Sequence, residues 1–422
     1  MKKKLLSIAA ILLAGLLAWT GCSAVAVPVA GDLMAGVKAA EKPASPKPLS
    51  EDFTQSVLDF SWNLLQKTDP GAGNLMISPA SDFLALSMTL NGASGETKAA
   101  LLEALSSSGL SEDALNQANR DWMTLLQDTG EKTELFIANS IWLRDTFTAD
   151  PDFLQRNADF YGTAARKLDF TKPAAAKEIN NWVKTATRGR IDSIVDQIQE
   201  DVVLYLINAI YFKSDWMIPF KANQTMAGEF AEPTGAIQVK YMNRAGQADY
   251  LGSNGFEGVW LPYIDEQFGF FAILPGEGED VRSLLADLGG NGLADLIKER
   301  VELSVSLRLP KFEIKFETGL VNPLKAMGMT VAFEEGKADF SRMNEDHANN
   351  LFISDVRHKT FFRIDEKGSE AAAVTSVETR TTSMPAYDHT LNFDRPFLCG
   401  IADAKTGLPL FIGIMENPST PE

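Results

Sequence analysis

The chain has 422 residues, of which 45% are hydrophobic, and its formal net charge is −17 with a pI near 4.8. This length and composition suit a globular protein with a large core. The acidic charge argues against nucleic acid as a partner, because phosphates repel a surface of the same sign.

The first 22 residues have the pattern of an export signal. A basic start at residues 2–4 precedes an apolar run over residues 5–17 and then small residues, which is the order found in secretory signals. The apolar run is too short to favour a membrane helix that stays in the chain. We therefore expect an exported bacterial protein that is either extracellular or attached to the cell surface.

Cys22 is a candidate for lipidation at the end of this signal. The dipeptide Gly21-Cys22 resembles the processing site of bacterial lipoproteins, although Trp19 stands where that pattern usually has an aliphatic residue. Cleavage after Ala24 or Ala26 therefore stays open as the alternative. A lipid on Cys22 is the one membrane contact that we expect.

Residues 23–50 are predicted to form a flexible tether, and residues 51–418 to form one large mixed domain. The tether is rich in Ala, Val, Pro and Lys and has no clear hydrophobic period. The pattern changes at Ser50, which can cap a helix whose first turn carries Glu51 and Asp52. The apolar face of that helix is formed by Phe53, Val57, Phe60 and Leu64.

The segment NLMISPASDF, residues 74–83, contains the start of a second helix. Ser78 precedes Pro79 in the cap-then-proline order that is typical of a helix start. We expect Gly92 and Gly95 to mark the end of this helix, since glycine is the preferred residue there.

Two stretches are predicted to be β-strands. Residues 202–212 (VVLYLINAIYF) are apolar on both faces apart from Asn208, which is typical of a central strand covered on both sides. In ELSVSLRLPKFEIKFE, residues 302–317, the apolar positions are odd-numbered before Pro310 and even-numbered after it. This change of parity predicts a bend or bulge where the chain passes from one sheet to another.

Residues 366–385 (EKGSEAAAVTSVETRTTSMP) have few bulky aliphatic side chains and can contribute little to a core, yet they carry the pattern of a strand. The uncharged small or β-branched residues on odd positions are Ser369, Ala371, Ala373, Thr375, Val377, Thr379 and Thr381. The charged residues on even positions are Glu370, Glu378 and Arg380. This period of two predicts a strand with one buried face, and a surface linker with chance alternation is the alternative.

The sequence contains little material for catalysis or metal binding. Its three histidines are His347, His358 and His389, and no HExxH, CxxC, GxSxG or GxxxxGK[ST] motif occurs. No cofactor and no metal are therefore expected. A hydrolase would lack a candidate pair of nucleophile and base, so we do not expect an enzyme.

Several long segments over residues 51–417 carry a recognisable pattern, and they are NLMISPASDF…LNGASGET (74–97), NNWVKTATRGRI (180–191), LINAIYFKSDWMIPF (206–220), LPKF (309–312), GMTVAFEEGKADFS (328–341), ISDVRHKTFFRIDEKGSEAAA (353–373) and FDRPFLCGIADAKTGLPLFIG (393–413). These segments resemble the serpin family, and they occur in the order in which the family has them.

The resemblance implies a mixed α+β serpin fold of about nine helices and three β-sheets, with a mobile, insertable reactive-centre loop at about residues 366–392. It also implies a mechanism, in which a target protease attacks the loop and the cleaved loop then enters the main sheet as a new middle strand. Residues 369–382, at ~3.3 Å each, would span roughly 45 Å. That length is enough to carry a bound protease from one end of the molecule to the other.

The resemblance also assigns expected roles to individual residues. The shutter, a polar cluster under the place where the sheet opens, would comprise Ser78, Ser81, Asn208 and His358. The breach, where insertion starts, would comprise Trp216, Lys311 and Glu366. The hinge would comprise Glu366, Gly368, Ser369, Glu370, Ala371, Ala372 and Ala373. A lone buried His or Asn is more often a satisfied core group, so these roles rest on the resemblance.

The usual family register, counted from Glu366, places the reactive bond at Thr382-Ser383. The segment that follows is longer than in the best-known members, so Arg380-Thr381 stays open as the alternative. Cleavage after Thr382 would suit elastase-like or subtilisin-like proteases, whereas cleavage after Arg380 would suit trypsin-like ones.

The sequence therefore predicts a monomeric suicide inhibitor whose partner is a serine protease. The alternative is a non-inhibitory serpin that acts as a binding or chaperone-like module. Such members commonly have bulky or charged residues, or prolines, in the hinge, whereas residues 369–373 here carry only Glu370 as a charge.

Overall fold

The computed structural model describes residues 31–41, 43, 45–198, 202–253, 255–349, 351–369 and 386–419, with the backbone alone at 138, 139, 206, 208 and 209. Residues from Gly31 onward form one compact unit. The predicted export signal with Cys22 lies outside the described ranges, as do the two candidate reactive bonds.

The described residues contain nine α-helices, most of which cover the sheets described below. Their bounds are α1 Glu51–Thr68, α2 Pro79–Leu90, α3 Gly95–Leu105, α4 Glu112–Gln127, α5 Pro151–Tyr161, α6 Pro173–Ala186, α7 Ser283–Asp287, α8 Gly289–Lys298 and α9 Val321–Leu324. As predicted, α1 is capped by Ser50, whose Oγ accepts a hydrogen bond from Phe53 N at 3.2 Å. Helix α2 ends at Leu90, but Gly95 begins α3 instead of ending α2, because the chain turns over the four residues between them.

The strands fall into two hydrogen-bonded networks. Their bounds are β1 Leu75–Ile77, β2 Thr133–Arg144, β3 Ala164–Leu168, β4 Leu204–Asp215, β5 Met226–Glu232, β6 Gly235–Ser253, β7 Phe256–Pro262, β8 Phe268–Pro275, β9 Val301–Pro310, β10 Phe312–Gly319, β11 Asp355–Ile364, β12 Gly368–Ser369, β13 His389–Asn392, β14 Phe397–Asp403 and β15 Pro409–Met415.

The smaller network is a six-stranded sheet in the order β10-β11-β4-β2-β3, with β12 paired to β4. Strand β4 is central, as predicted for the apolar stretch that it contains. On one face of the sheet, Ile210 and Phe212 of β4 belong to the main core. On the other face, Tyr205 and Ile207 form a smaller apolar cluster with α6. Both faces are therefore covered along part of this strand.

The larger network joins nine strands in the order β1-β15-β14-β8-β7-β6-β9-β13, with β5 also paired to β6. The 19-residue strand β6 is long enough to belong to two sheets. It pairs with β7 near its end, and with β5 and β9 along the rest of its length. Counted with the six-stranded sheet, the described residues form three sheets.

The predicted change of sheet at Pro310 is confirmed. Strand β9 ends at Pro310 in the nine-stranded network, and β10 begins at Phe312 in the six-stranded sheet. The buried side changes parity across this point, from Leu307 and Leu309 to Phe312 and Ile314. Crossing from one sheet to the other at the proline turns the apolar side of each strand toward the core.

Residues 31–33 of the predicted tether contact the six-stranded sheet. Leu33 N donates to Ala165 O at 2.9 Å, and Lys167 N donates to Gly31 O at 2.7 Å. Ala165 and Lys167 both belong to the edge strand β3. This part of residues 23–50 therefore packs as an additional edge of the sheet instead of running free.

Within the described ranges, no helix is both long and apolar enough to span a membrane. No group of three or more His, Cys, Asp or Glu residues there is arranged to hold a metal ion.

Candidate functional site

The candidate site is a gap between strands β4 and β11, which run parallel at the centre of the six-stranded sheet. These strands pair only at Tyr205 with Asp355 and at Leu206 with Val356, near one end of the sheet. Near the other end, β12 pairs antiparallel with β4. Between these two points, none of the described residues pairs with residues 207–213 of β4 on the side that faces β11.

A tight turn between β11 and β12 points the chain back into this gap. Asp365 N donates to Gly368 O at 3.0 Å, and Lys367 N donates to the Asp365 carboxylate at 2.9 Å. The chain that left the sheet along β11 therefore returns antiparallel to it. Its first two residues after the turn pair with Asp215 and Ser214 of β4.

Gly368 occupies a position in this return that only glycine fits. Its φ is 156°, in the part of the backbone map that glycine alone adopts readily. A Cβ at this position would overlap the carbonyl oxygen of Ser214. The predicted hinge glycine is thus required by close backbone approach as well as by conformation.

Ser369 faces the core. Its side chain is 3% exposed, and its Oγ lies 2.6 Å from the hydroxyl of Tyr263, a fully buried residue. Burial raises the pKa of Tyr263, so its hydroxyl keeps its proton at neutral pH. Because side chains alternate along a strand, the buried Ser369 sets odd-numbered loop positions as the core-facing ones.

The predicted breach residues Lys311 and Glu366 are in contact. Lys311 Nζ lies 2.8 Å from Glu366 Oε2, and Thr225 Oγ1 donates to Glu366 Oε1 at 2.9 Å. Burial raises the pKa of the Glu366 carboxyl, but the hydrogen bonds from Lys311 and Thr225 outweigh this effect, and the net pKa is below its ordinary value. Phe220 N also donates to the Glu366 carbonyl at 2.8 Å.

Trp216, the third predicted breach residue, holds the turn from the other side. Its indole Nε1 donates to Asp365 O at 2.9 Å, and its backbone N donates to Lys367 O at 2.7 Å. The ring is buried and stacks on Tyr263, with centroids 4.7 Å apart. The three predicted breach residues therefore converge on the turn that precedes β12.

The predicted shutter residues Ser78 and His358 are in contact under the sheet. Ser78 N donates to His358 Nε2 at 3.2 Å, and His358 Nδ1 lies 3.1 Å from Asp82 Oδ1. Since Nε2 accepts a backbone N–H, the ring proton is on Nδ1 and is donated to Asp82. This arrangement suits a neutral imidazole.

The other two predicted shutter residues are placed less completely. Ser81 is buried in the first turn of α2, next in the chain to Asp82. Asn208 pairs through its backbone with Asn139 of β2, and its side chain is outside the description. Of the predicted hinge, Glu370, Ala371, Ala372 and Ala373 also lie outside the described residues.

Among the site residues that were not predicted from the sequence are Asp82, Tyr263 and Asp365. Asp365 had a usable signal, because an Asp followed by Gly three residues later is typical of a turn. Asp82 stands in the first turn of a helix, where an acidic residue is common and indicates only the helix start. Tyr263 comes from a distant strand, and nothing in its local sequence indicates its contact with Ser369.

Comparison with known proteins agrees with this geometry. The family described as serpin (serine protease inhibitor) matches residues 55–418. An uncharacterised serpin-like protein of Thermococcus kodakarensis is 32% identical over 375 residues, which are 86% of this chain and 85% of that protein. A leukocyte elastase inhibitor of Xenopus tropicalis is 30% identical over 385 residues, which are 87% of this chain and all of that protein.

The fold is also found among solved structures. The native state of tengpin, a thermophilic serpin, is similar with a TM-score of 0.86 and 37% identity, over 92% of this chain and all of that one. The predicted serpin fold, a mixed α+β arrangement of about nine helices and three sheets, is thereby confirmed, with nine α-helices among the described residues. With a family match over most of its length and relatives above 30% identity, the chain belongs to the serpin family.

Proposed function

We propose that this protein is a suicide-substrate inhibitor of serine proteases, which traps the acyl-enzyme by inserting its cleaved loop into the gap between β4 and β11. The observation that carries the proposal is the return of the chain at β12, which already pairs with β4 at the head of the gap. The family consists largely of protease inhibitors, and one relative is named as an elastase inhibitor.

The chemistry of this function belongs to the target protease. Its own serine attacks the scissile carbonyl, and the C–N bond of the loop breaks. The carbonyl of the residue before the cut stays bound to the serine as an ester, while the residue after the cut leaves as a free amine. This chain supplies a competing physical step, the addition of a strand. Insertion has to outrun hydrolysis of the ester, so the yield of trapped protease depends on how fast the loop enters the sheet.

The buried Ser369 is compatible with this role and less so with the non-inhibitory alternative. Its contact with Tyr263 (2.6 Å) shows that the first loop residue already fits the core side of the sheet. The residues that follow, Ala371, Ala372 and Ala373, are small, so they can enter an assembled sheet without displacing its core. A hinge with bulky residues or prolines would favour a binding or chaperone-like module.

For the reactive bond we propose Thr382-Ser383, with Arg380-Thr381 as the alternative. Cleavage at the first bond implies an elastase-like or subtilisin-like target protease, and cleavage at the second bond implies a trypsin-like one. We further propose a monomer without enzymatic activity or cofactor, exported and either extracellular or anchored to the cell surface through a lipid on Cys22.

The test is to incubate the mature protein with elastase, subtilisin and trypsin, and to look for covalent complexes that survive SDS denaturation. We expect complexes with elastase or subtilisin, together with a released C-terminal fragment whose mass places the cut after Thr382. Complexes with trypsin alone and a cut after Arg380 would refute the assigned bond and spare the mechanism. Cleavage by all three without any complex would favour the non-inhibitory alternative.

A further inference from the structure

We propose that residues 187–195, the segment that follows α6, form a strap across the outer face of the gap, and that the contact of Arg190 with Phe361 restrains the two sides of the gap until a strand enters. The outer face is the face of the six-stranded sheet that is turned away from the main core. The inference rests on the proposed function, because the strap restrains the expansion of the sheet that this function requires.

Three aromatic side chains lie on the outer face at the place that the strap crosses. Phe212 of β4 and Phe362 of β11 are buried in the main core, so alternation along each strand turns their neighbours Tyr211 and Phe361 to the outer face. Phe136 of β2 pairs with Tyr211, and their ring centroids are 6.2 Å apart. Phe136 therefore belongs to the same face.

The gap separates Tyr211 from Phe361. Tyr205 of β4 pairs in parallel with Asp355 of β11, and each of the two aromatic residues lies six positions further along its own strand. The two rings are therefore at one level along the sheet. At that level, none of the described residues pairs with β4 on the side that faces β11. A group that reaches Phe361 from the side of β4 has to cross the gap.

The strap is anchored on the β4 side of the gap. The backbone N–H groups of Ile194 and Val195 donate to Asn180 Oδ1 of α6 at 2.8 and 3.0 Å, and Asn180 Nδ2 donates to Val195 O at 2.7 Å. The side chains of Ile191, Ile194 and Val195 are buried in the smaller apolar cluster together with Tyr205 of β4. These contacts hold the strap beside β4 independently of β11.

Two arginines of the strap reach opposite sides of the gap. The guanidinium of Arg188 lies 4.5 Å from the ring centroid of Phe136 and pairs with the carboxylate of Glu134 at 2.7 Å, and both of these residues belong to β2. The guanidinium of Arg190 lies 5.7 Å from the ring centroid of Phe361 on β11. Arg188 therefore makes these contacts on the anchored side, whereas Arg190 connects the strap to the far side.

Asp192 adds a weaker electrostatic contact across the gap. Its carboxylate lies 2.8 Å from Lys184 Nζ of α6. The pKa of this carboxyl is held below its ordinary value mainly by Lys184, and Lys315 of β10 and Lys359 of β11 act in the same direction. These charges are exposed, so their attraction is largely screened. The contact of Arg190 with Phe361 is therefore the main connection of the strap to β11.

Entry of a strand between β4 and β11 would break this contact. Neighbouring strands are about 4.8 Å apart, so two strands with a third between them are roughly 10 Å apart. Because the strap is fixed beside β4, Arg190 has to release the ring of Phe361 as β11 moves away. A cation–π contact of this kind is worth a factor of about five in a rate. The strap therefore slows the entry of a strand and keeps the sheet closed before cleavage.

The experiment measures how fast a synthetic strand enters the gap of the uncleaved protein. The strand is a fluorescent peptide with the sequence of residues 371–382, and its uptake is followed on native gels. We expect Arg190→Ala to take up the peptide about fivefold faster than the wild type. Arg188→Ala is the matched control, because it removes the same kind of contact on the anchored side alone, and its rate should stay near that of the wild type.

Phe361→Leu tests the other partner of the contact. It keeps an apolar side chain and removes the ring, so its rate should match that of Arg190→Ala, and the double variant should be no faster than either single one. Additive effects in the double variant, equal acceleration by Arg188→Ala, or an unchanged rate in Arg190→Ala would overturn the inference. Circular dichroism before the peptide is added checks that all variants are folded.

Protease trapping is measured separately, so that failure of the inference and failure of the proposed function can be told apart. Arg190→Ala should consume no more inhibitor for each mole of trapped protease than the wild type does, because a released strap does not slow insertion, and a higher consumption would contradict the inference. If the wild-type protein traps none of the proteases, the proposed function fails, while the peptide rates still decide whether the strap restrains the gap. If no variant takes up the peptide, the inference fails, and a wild-type complex with a protease would still support the proposed function.

Discussion

Glu366 is held by three donors from two separate parts of the chain. Its carboxylate is bound by Lys311 and Thr225, and its carbonyl oxygen by the backbone of Phe220. The residue stands directly before the turn that returns the chain to the sheet. A charge fixed there positions the turn, and its loss should loosen the place where insertion starts.

The Glu366 contacts predict a pH dependence of stability. The folded-state pKa of this carboxyl lies below its ordinary value of 4.5, so the group stabilises the fold above that pH. This contribution is lost as the pH falls through the lower, folded-state pKa. We expect Glu366→Gln to be less stable than the wild type at neutral pH, and to lose less of its thermal midpoint between about pH 7 and pH 3.

The control for this measurement is Glu317→Gln. Glu317 forms a more exposed ion pair with Lys359, and its side chain is 45% exposed, so the substitution should change the midpoint little at either pH. If Glu366→Gln follows the wild-type midpoint at both pH values, the pairing with Lys311 does not stabilise the native protein.

At the level of single residues, the sequence predicted the members of the site better than their contacts. The resemblance selected His358, Ser78, Lys311 and Glu366, and the structure brings them together in two contacting pairs. It did not select Asp82, because an acid in the first turn of a helix already has a local explanation. A contact between distant segments leaves no mark in the sequence around either partner.

At the level of the elements, the buried Ser369 determines which face of the loop strand would turn toward the core. The registers that place Ser369 opposite Ser214 and beside Ile364 would place Ala371 between Phe212 and Phe362. Both of these aromatic residues are buried in the main core. A small side chain is therefore what the core face of the gap accepts at that position.

Substitutions on the two faces of the loop should have opposite outcomes. Ala371→Arg would bring an unpaired charge into the core between two aromatic rings, at a cost on the order of several kcal/mol. Insertion should slow, and the protein should be cleaved and release active protease. Ala372→Arg would lie on the outer face, between Tyr211 and Phe361, which do not belong to the main core, and trapping should persist. Gel analysis of complexes against cleaved inhibitor measures both.

Two results would show that this register is wrong. One is equal behaviour of the two arginine variants, and the other is loss of trapping in Ala372→Arg alone. Circular dichroism of the uncleaved variants checks that both are folded. Because the substitutions act only when the cleaved loop enters the sheet, the thermal midpoint of each uncleaved variant should stay near that of the uncleaved wild type.

The elements themselves could be predicted where one physical signal governs the local chain. The parity change at Pro310 predicted the passage between sheets, and the apolar stretch 202–212 predicted the central strand. Gly95 was assigned to the wrong helix end, because glycine fits both a helix end and the turn that precedes a new helix. The gap between β4 and β11 could not be derived locally, since it depends on how two distant strands diverge.

At the scale of the whole molecule, the described ends of the loop are held in different sheets. Strand β12 pairs with β4 in the six-stranded sheet, whereas β13 pairs with β9 in the nine-stranded network. With both ends held, the loop between them cannot align fully with β4. Cleavage frees one end, and only then can the loop pair with β4 along its whole length.

The difference between the two forms should be visible in their thermal stability. Residues 207–213 of β4 would gain a strand partner on the side of the gap. If each new hydrogen bond contributes roughly 1 kcal/mol, and each kcal/mol raises the midpoint by about 2 °C in a chain of this size, insertion raises the midpoint on the order of 10 °C. The intact loop then prevents the native form from converting to the more stable form, in which the loop is inserted.

The most direct test of the account is scanning calorimetry of the protein before and after a single cut in the loop. A protease that the protein does not trap can make this cut, and Ala371→Arg cut in the same way serves as the control. We expect the midpoint of the cleaved wild-type protein to rise by about 10 °C or more, while that of the cleaved control stays near its uncleaved value. An unchanged midpoint of the cleaved wild-type protein would contradict insertion of the loop between β4 and β11.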